Sequence, residues 1–160
     1  MKNNVELRQV DVREIYDLRQ RLLRPDQPIE SVHFSGDELD TTKHAGLFLD
    51  GKLIGCASIM IADNPAFDEK KQYQMRGVAV EKEYQGQGYG KAVVKYLEFL
   101  ALNRGIDFIW MNARTDVRKF YETLGYEAYG EEFMIPSVCP HIVMRKKIIE
   151  TACESCKKND

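Results

Sequence analysis

Gln85-Gly86-Gln87-Gly88-Tyr89-Gly90-Lys91 places three glycines on alternate positions, between a segment that reads as a strand and one that reads as a helix. The first N–H groups of a helix have no intrahelical acceptor, and together with the helix dipole they favour a bound anion. Glycine allows a phosphate to approach the backbone without meeting a Cβ. Lys91 and Lys95, with no acid between Gln85 and Lys95, make the local field positive. The chemistry this spacing suits is the binding of a phosphate-bearing ligand; a bare strand-to-helix turn would not need alternating glycines. Two phosphate motifs are excluded. A P-loop requires Ser or Thr after Gly-Lys, and Ala92 follows Gly90-Lys91. The dinucleotide fingerprint requires its third glycine where Lys91 stands. Cys153 and Cys156 form a lone Cys-x-x-Cys without a second pair at metal-finger spacing. No metal is assigned, and an exposed, oxidisable dithiol is expected.

The remaining pattern is Gln85, two residues, Gly88, one residue, Gly90. It resembles the acetyl-CoA signature (Gln or Arg, x, x, Gly, x, Gly or Ala) of the GNAT family of N-acetyltransferases. The lead-in from Arg76 to Tyr84 looks like that family's fourth strand and its exit. Asn112-Ala113-Arg114 and Phe120-Tyr121-Glu122-Thr123-Leu124-Gly125-Tyr126 resemble its fifth strand and the helix that follows. The resemblance covers element order over roughly residues 5 to 147, with its specific motifs within 76 to 147.

The resemblance implies an amine attacking the thioester of acetyl-CoA directly, without an acyl-enzyme. The backbone amides of Gln85, Gly86, Gln87, Gly88, Tyr89, Gly90 and Lys91 would hold the pyrophosphate. Main-chain groups along Val78, Ala79 and Val80 would pair with the pantetheine arm, and the Val80 amide or a near neighbour would polarise the thioester carbonyl. Asn112 matches a position that often contacts that arm; its other reading is a strand-end cap. Tyr121 matches the family's general acid, since a phenol with a pKa of about 10 is protonated at neutral pH. Its other reading is packing beside Phe120 and Leu124. Gln74 stands where the histone-acetylating branch carries a glutamate, so the base falls to Glu132 or His141. Gly130-Glu131-Glu132-Phe133 and Pro140-His141-Ile142-Val143-Met144 resemble a recurring end of small bacterial family members. An imidazole suits proton exchange at neutral pH, and a histidine bonded to backbone is the alternative. By the same resemblance, the region of His33, His44, Arg19 and Arg24 would form the acceptor-side wall. Acidic residues there would attract a cationic amine, whereas Arg19 and Arg24 could hold a carboxylate or phosphate; otherwise these charges are solvated.

These residues need elements to position them. Val5 to Val10 reads as a short strand, and Asp11 sits where an N-cap belongs before a helix with Val12, Ile15, Leu18 and Leu22 on one face. Pro25 and Pro28 end it, and residues 26 to 44 read as irregular and acidic. Strands flank Asp50-Gly51, a strong hairpin signal, and Asn64-Pro65 breaks the second of them. Tyr73 to Val80 predicts a strand and Gly88 to Asn103 a helix with Val93, Val94, Leu97, Leu100 and Ala101 on one face, capped by Gly105. Ile106 to Asn112 predicts a buried strand. Thr115 or Asp116 would cap a helix running to Leu124, and Tyr126 to Phe133 and Ile142 to Lys147 predict a final pair of strands. The element order gives a mixed α/β or α+β fold. The resemblance implies a mostly antiparallel sheet of about seven strands, splayed between strands four and five.

The 160 residues suit one domain, expected over 1–150, with a polar and mobile tail at 151–160. With 44% hydrophobic and 30% charged residues, global disorder is excluded. A balance of 23 basic to 25 acidic residues argues against a nucleic-acid partner held by bulk charge. No apolar run approaches the roughly 20 residues of a membrane span, and no signal peptide opens the chain. Four scattered cysteines fit a reducing, cytoplasmic setting. The expectation is an acetyl-CoA-dependent N-acetyltransferase acting on a small-molecule amine, monomeric or homodimeric. The alternatives are a protein lysine or N-terminal acetyltransferase, and a non-catalytic acyl-CoA-binding regulator.

Overall fold

A computed structural model describes residues 3–136 and 138–148 of the chain; the Cys153 and Cys156 pair lies outside them. Strand β1 (Val5–Gln9) runs to Asp11, which caps a 3-10 turn at Val12–Glu14 with a reciprocal box: its carboxylate accepts from Arg13 N–H, and Glu14 Oε2 accepts from Asp11 N–H. Helix α1 (Tyr16–Leu23) follows and stops at Arg24, the residue before Pro25, as the ring of a proline demands. The acidic stretch contains a 3-10 turn at Ile29–Val32 that the sequence reading left irregular. Strands β2 (Lys43–Leu49) and β3 (Lys52–Ile61) form the hairpin, with Asp50 at φ 50° and Gly51 at φ 84° supplying the two left-handed residues of a primed turn.

Strand β4 (Tyr73–Val80) leads through a 3-10 turn and the glycine run into α2 (Tyr89–Asn103). Strand β5 (Phe108–Arg114) begins two residues later than expected, because the Gly105 and Ile106 N–H groups are spent on Leu102 and Ala101 carbonyls in closing α2. Neither Thr115 nor Asp116 makes a side-chain cap; they lie in a 3-10 turn whose backbone leads into the short α3 (Arg118–Thr123). Strands β6 (Glu127–Ile135) and β7 (Cys139–Lys147) close the chain.

The seven strands form one mixed sheet in the order β1-β2-β3-β4-β5-β7-β6. The ladders β1–β2, β2–β3, β5–β7 and β6–β7 are antiparallel. The β4–β5 ladder is parallel, with register Tyr73↔Ile109 and Gln74↔Trp110 at the start of β4. The chain divides into two compact units: residues up to Met60 with Met75–Phe99, and Ile61–Gln74 with residues from Leu100 onward. The first unit buries Val12, Ile15, Leu18, Cys56 and Ala79 together, with Leu22 and Leu53 against them. The second packs Phe67, Phe108 and Trp110, with Ala62 and Val143 alongside. No helix among the described residues is long and apolar enough to cross a membrane.

Candidate active site

In the first unit, the end of β4 presents its backbone in two directions. Glu81 N–H donates to Ile54 O at 2.8 Å, and the Ala79 carbonyl lies 3.4 Å from where a Cβ on Gly55 would stand. Odd-numbered groups therefore address β3, and the main-chain groups of Val78 and Val80 face the opposite way. Gln85 Nε2 donates to Val80 O at 2.9 Å, which ties the signature glutamine to the strand and leaves the Val80 N–H as the polar group on offer there.

Gly86 at φ 77° and Gly88 at φ 90° take left-handed backbone that a side chain would strain, and a Cβ built on either meets nothing within 4 Å. The open side of the turn is thus accessible to a ligand. The first backbone bond of α2 runs from Ala92 N–H to Gly88 O at 3.1 Å. The N–H groups of Tyr89, Gly90 and Lys91 precede it and have no intrahelical acceptor. Tyr84 and Tyr89 pack edge to face across the turn, 6.4 Å between ring centroids. Lys91 is exposed, while Lys95 pairs with Glu98 at 3.5 Å.

The four acceptor-side candidates also lie in the first unit, and they divide into buried and accessible groups. Arg19 has no exposure; Nη1 donates to Asp37 Oδ2 at 2.6 Å and Val32 O at 2.9 Å, and Nη2 to Ser58 Oγ at 2.8 Å. His44 is buried beside it, with Nε2 2.8 Å from Asp37 O and Nδ1 2.6 Å from Ser58 Oγ. A carbonyl only accepts, so Nε2 carries the hydrogen and Nδ1 accepts from Ser58. The expectation that Arg19 and His44 contact substrate meets two buried side chains: both His44 nitrogens and both terminal Arg19 nitrogens are bonded inside the protein, and the Arg19 Nε, though without a partner, is buried too. Arg24 donates to Ser31 O and stands 5.3 Å from the Phe34 ring, and the exposed His33 stacks on Tyr16 at 4.0 Å.

The expected attraction of a cationic amine by the acidic stretch does not extend to Asp37. Its carboxylate is buried and bonded to Arg19, to Phe34 N–H at 2.9 Å, and to Arg76 Nη2 at 3.0 Å. Burial would raise the Asp37 pKa, but the Arg19 bond and charge, with Phe34 and Arg76, outweigh it and hold the carboxyl below its ordinary range. Burial lowers the His44 pKa, and the Arg19 charge adds to this. A depressed histidine pKa contributes stability above the unfolded value near 6.5 that is lost as pH falls. Stability therefore drops as pH falls below about 6.5 through His44, and again below about pH 4 through Asp37. His44→Gln flattens the first of these slopes in denaturant titrations at stepped pH; an unchanged slope would assign it elsewhere.

Arg76 was not foreseen as a site residue. Its only sequence signal is a charged residue between Met75 and Gly77 in a mostly apolar strand. Asp37, Ser58 and Phe34 carried no distinguishing signal, because their partners are remote in the chain.

In the second unit, Asn112 is exposed on β5 opposite Val143 of β7, and Arg114 lies opposite His141. Directly opposed residues share a face, as do residues two apart, so Asn112 and His141 sit on one face of this strand pair. Asn112 therefore projects from the body of the strand. His141 is buried, and its Nδ1 lies 2.7 Å from Cys139 O. That carbonyl fixes the neutral ring with hydrogen on Nδ1 and a lone pair on Nε2. The backbone bond and a proton-accepting nitrogen thus coexist. Glu132 is exposed in the irregular stretch between Tyr129 and Phe133, where Gly130 takes φ 76°. Tyr121 is buried on α3, edge to face with Phe120 at 5.0 Å and Tyr126 at 5.9 Å. Burial pushes its phenol pKa upward, so it stays protonated at all ordinary pH. Among the described residues no group of His, Cys, Asp and Glu is placed to hold a metal ion.

Residues 10–126 match the family model described as the acetyltransferase (GNAT) family. The chain is 35% identical over 144 residues to the uncharacterized N-acetyltransferase YitI of Bacillus subtilis, covering 90% of this chain and 97% of that protein. The fold is shared with Escherichia coli ElaA at TM-score 0.72 and 19% identity, over 90% of this chain and 100% of ElaA. It is shared too with an aminoglycoside 6'-N-acetyltransferase solved with coenzyme A, at TM-score 0.66 and 20% identity over 90% and 97% of the two chains. With the glycine signature at a helix start, a family match over most of the chain and a relative aligned along nearly its whole length, the chain belongs to the GNAT family of acetyltransferases and is an acyltransferase.

Proposed function

We propose that the protein transfers acetyl from acetyl-CoA to the primary amine of a small molecule. The observation that carries this reading is the β4–turn–α2 segment: unspent N–H groups, two left-handed glycines with open space where a Cβ would be, and a strand end whose Val80 N–H faces away from β3. The shared fold with an acetyltransferase solved with coenzyme A supports it.

The donor supplies an activated acyl thioester. In the first unit, the amides of Gly88 to Lys91 would hold the donor's diphosphate, the main chain of Val78 and Val80 would align its arm, and the Val80 N–H would donate to its carbonyl oxygen. In the second unit, the family resemblance gives Asn112 a contact to the arm. His141 Nε2 accepts a proton from the amine, directly or through water, and the Tyr121 hydroxyl holds the proton that the departing sulfur needs. Glu132, exposed in the irregular part of β6, is the lesser candidate for base.

A screen of amines following thiol release tests the reading, with a protein blank because the chain carries four cysteines. Acceptor-dependent release is expected with acetyl-CoA; release with no amine preference would sink it. Gly88→Glu puts a strained backbone and a carboxylate where the diphosphate binds, so acetyl-CoA affinity falls tenfold or more by calorimetry. Unchanged affinity in that variant would displace the donor from this turn.

A further inference from the structure

Charge does not balance around Asp37. Oδ2 accepts from Arg19 Nη1 and Phe34 N–H, and Oδ1 accepts from Arg19 Nη2 and Arg76 Nη2. Two guanidinium groups share one carboxylate whose oxygens are both spent. The Phe34 ring stands 4.4 and 5.4 Å from Arg19 and Arg76. The adjoining His44 is held neutral by burial. Removing an unmatched cation from water is costly, and a protein that keeps one generally has an anion to meet it.

The two arginines at Asp37 differ in what they can reach. Arg19 has no exposure, and a Cβ on Gly77 would come within 3.1 Å of its Nε, so the β4 backbone covers it. Arg76 keeps 16% side-chain exposure and gives Nη2 to Asp37; its Nε is buried without a partner, so the exposed part of the group is the terminal end of the guanidinium. Asp37 and Phe34 hold that guanidinium in a fixed plane, and a guanidinium so held offers a fork matched to a carboxylate or phosphoryl group. Burial lowers the Arg76 pKa and the Arg19 charge adds to this, against the Asp37 charge and bond that favour the protonated guanidinium.

We infer that Arg76 binds an oxyanion, carboxylate or phosphoryl, carried by the acceptor amine, so that the enzyme selects anionic acceptors. Arg19 and Asp37 are positioning residues. The inference rests on the acetyl-transfer reading for the word acceptor; the anion site itself lies wholly within the first unit.

The test uses matched probes: O-phosphoethanolamine against ethanolamine, and β-alanine against its amide. Binding is measured by calorimetry with no acyl donor, and turnover by thiol release. The anionic member of each pair is expected to bind about tenfold tighter or better. Arg76→Gln collapses that ratio towards one and Arg76→Lys, which keeps charge without the fork, restores part of it, while acetyl-CoA affinity is the same in all three proteins. The phosphoryl and carboxylate pairs show which oxyanion is preferred. A ratio near one in the unmodified protein overturns the proposal, as does a ratio that survives Arg76→Gln, or no binding of either anionic probe at tens of millimolar. Loss of acetyl-CoA affinity in step with acceptor affinity overturns it too, by moving the arginine to the donor. Melting curves identify misfolding, and Arg76→Lys then carries the comparison. Anion-selective binding without thiol release for any amine would sink the acetyl-transfer reading and leave the site standing.

Discussion

Tyr121→Phe slows acyl transfer about a hundredfold or more while leaving acetyl-CoA affinity and the folding midpoint near their original values. The substitution removes one oxygen and keeps the ring that packs on Phe120 and Tyr126. Burial holds the phenol protonated, so proton donation rather than charge is what the variant loses. The phenol's raised pKa also predicts that Tyr121 contributes no alkaline limb to the rate profile below about pH 10. Single-turnover thiol release beside calorimetric titration of acetyl-CoA separates the two quantities. An unchanged rate would make Tyr121 a packing residue, and a fall in stability with a matching fall in rate would do the same.

Arg19→Met has the largest expected effect on stability, a loss of about 3–5 kcal/mol. Methionine roughly preserves the aliphatic stem but leaves Asp37, Val32 O and Ser58 without their shared donor. Asp37 keeps Arg76 as a partner, which moderates the loss without replacing the buried bonds. Arg19→Met combined with Asp37→Leu does not recover it, since the double variant also leaves Arg76 and the Phe34 N–H without their acceptor. Denaturant unfolding measures both. Arg118→Met, which breaks an exposed pair with Glu122, is the control and changes stability by less than about 1 kcal/mol. An equally small effect at Arg19 would mean that the network is not held in solution.

Features written in local chemistry were legible from the chain. Asp50-Gly51 announces its hairpin because both residues tolerate positive φ, and the apolar face of α2 with its glycine entry announces a strand-to-helix anion turn. The β5 boundary slipped because closing α2 consumed the backbone of Gly105 and Ile106, a competition that periodicity does not display. The α3 start slipped because a 3-10 backbone turn took over the capping assigned to Thr115 or Asp116. The network at Asp37 was not legible. Its arginines lie 18 and 39 residues away, and a stretch rich in acids looks the same whether one of them is solvated or buried. Arg19 was singled out for its charge, and Arg76, the accessible one, passed as part of a strand motif.

The bonds that converge on Asp37 also set how the first unit comes apart. Asp37 links its own loop to α1 through Arg19 and to β4 through Arg76, and Arg19 carries the link to β3 through Ser58. A loop of small polar residues would ordinarily fray alone at little cost. Here, peeling it away strands a guanidinium in the interior, so the loop and the helix that owns Arg19 open as one cooperative unit. The loop is thereby as persistent as the core behind it, and its surface is set before any ligand arrives.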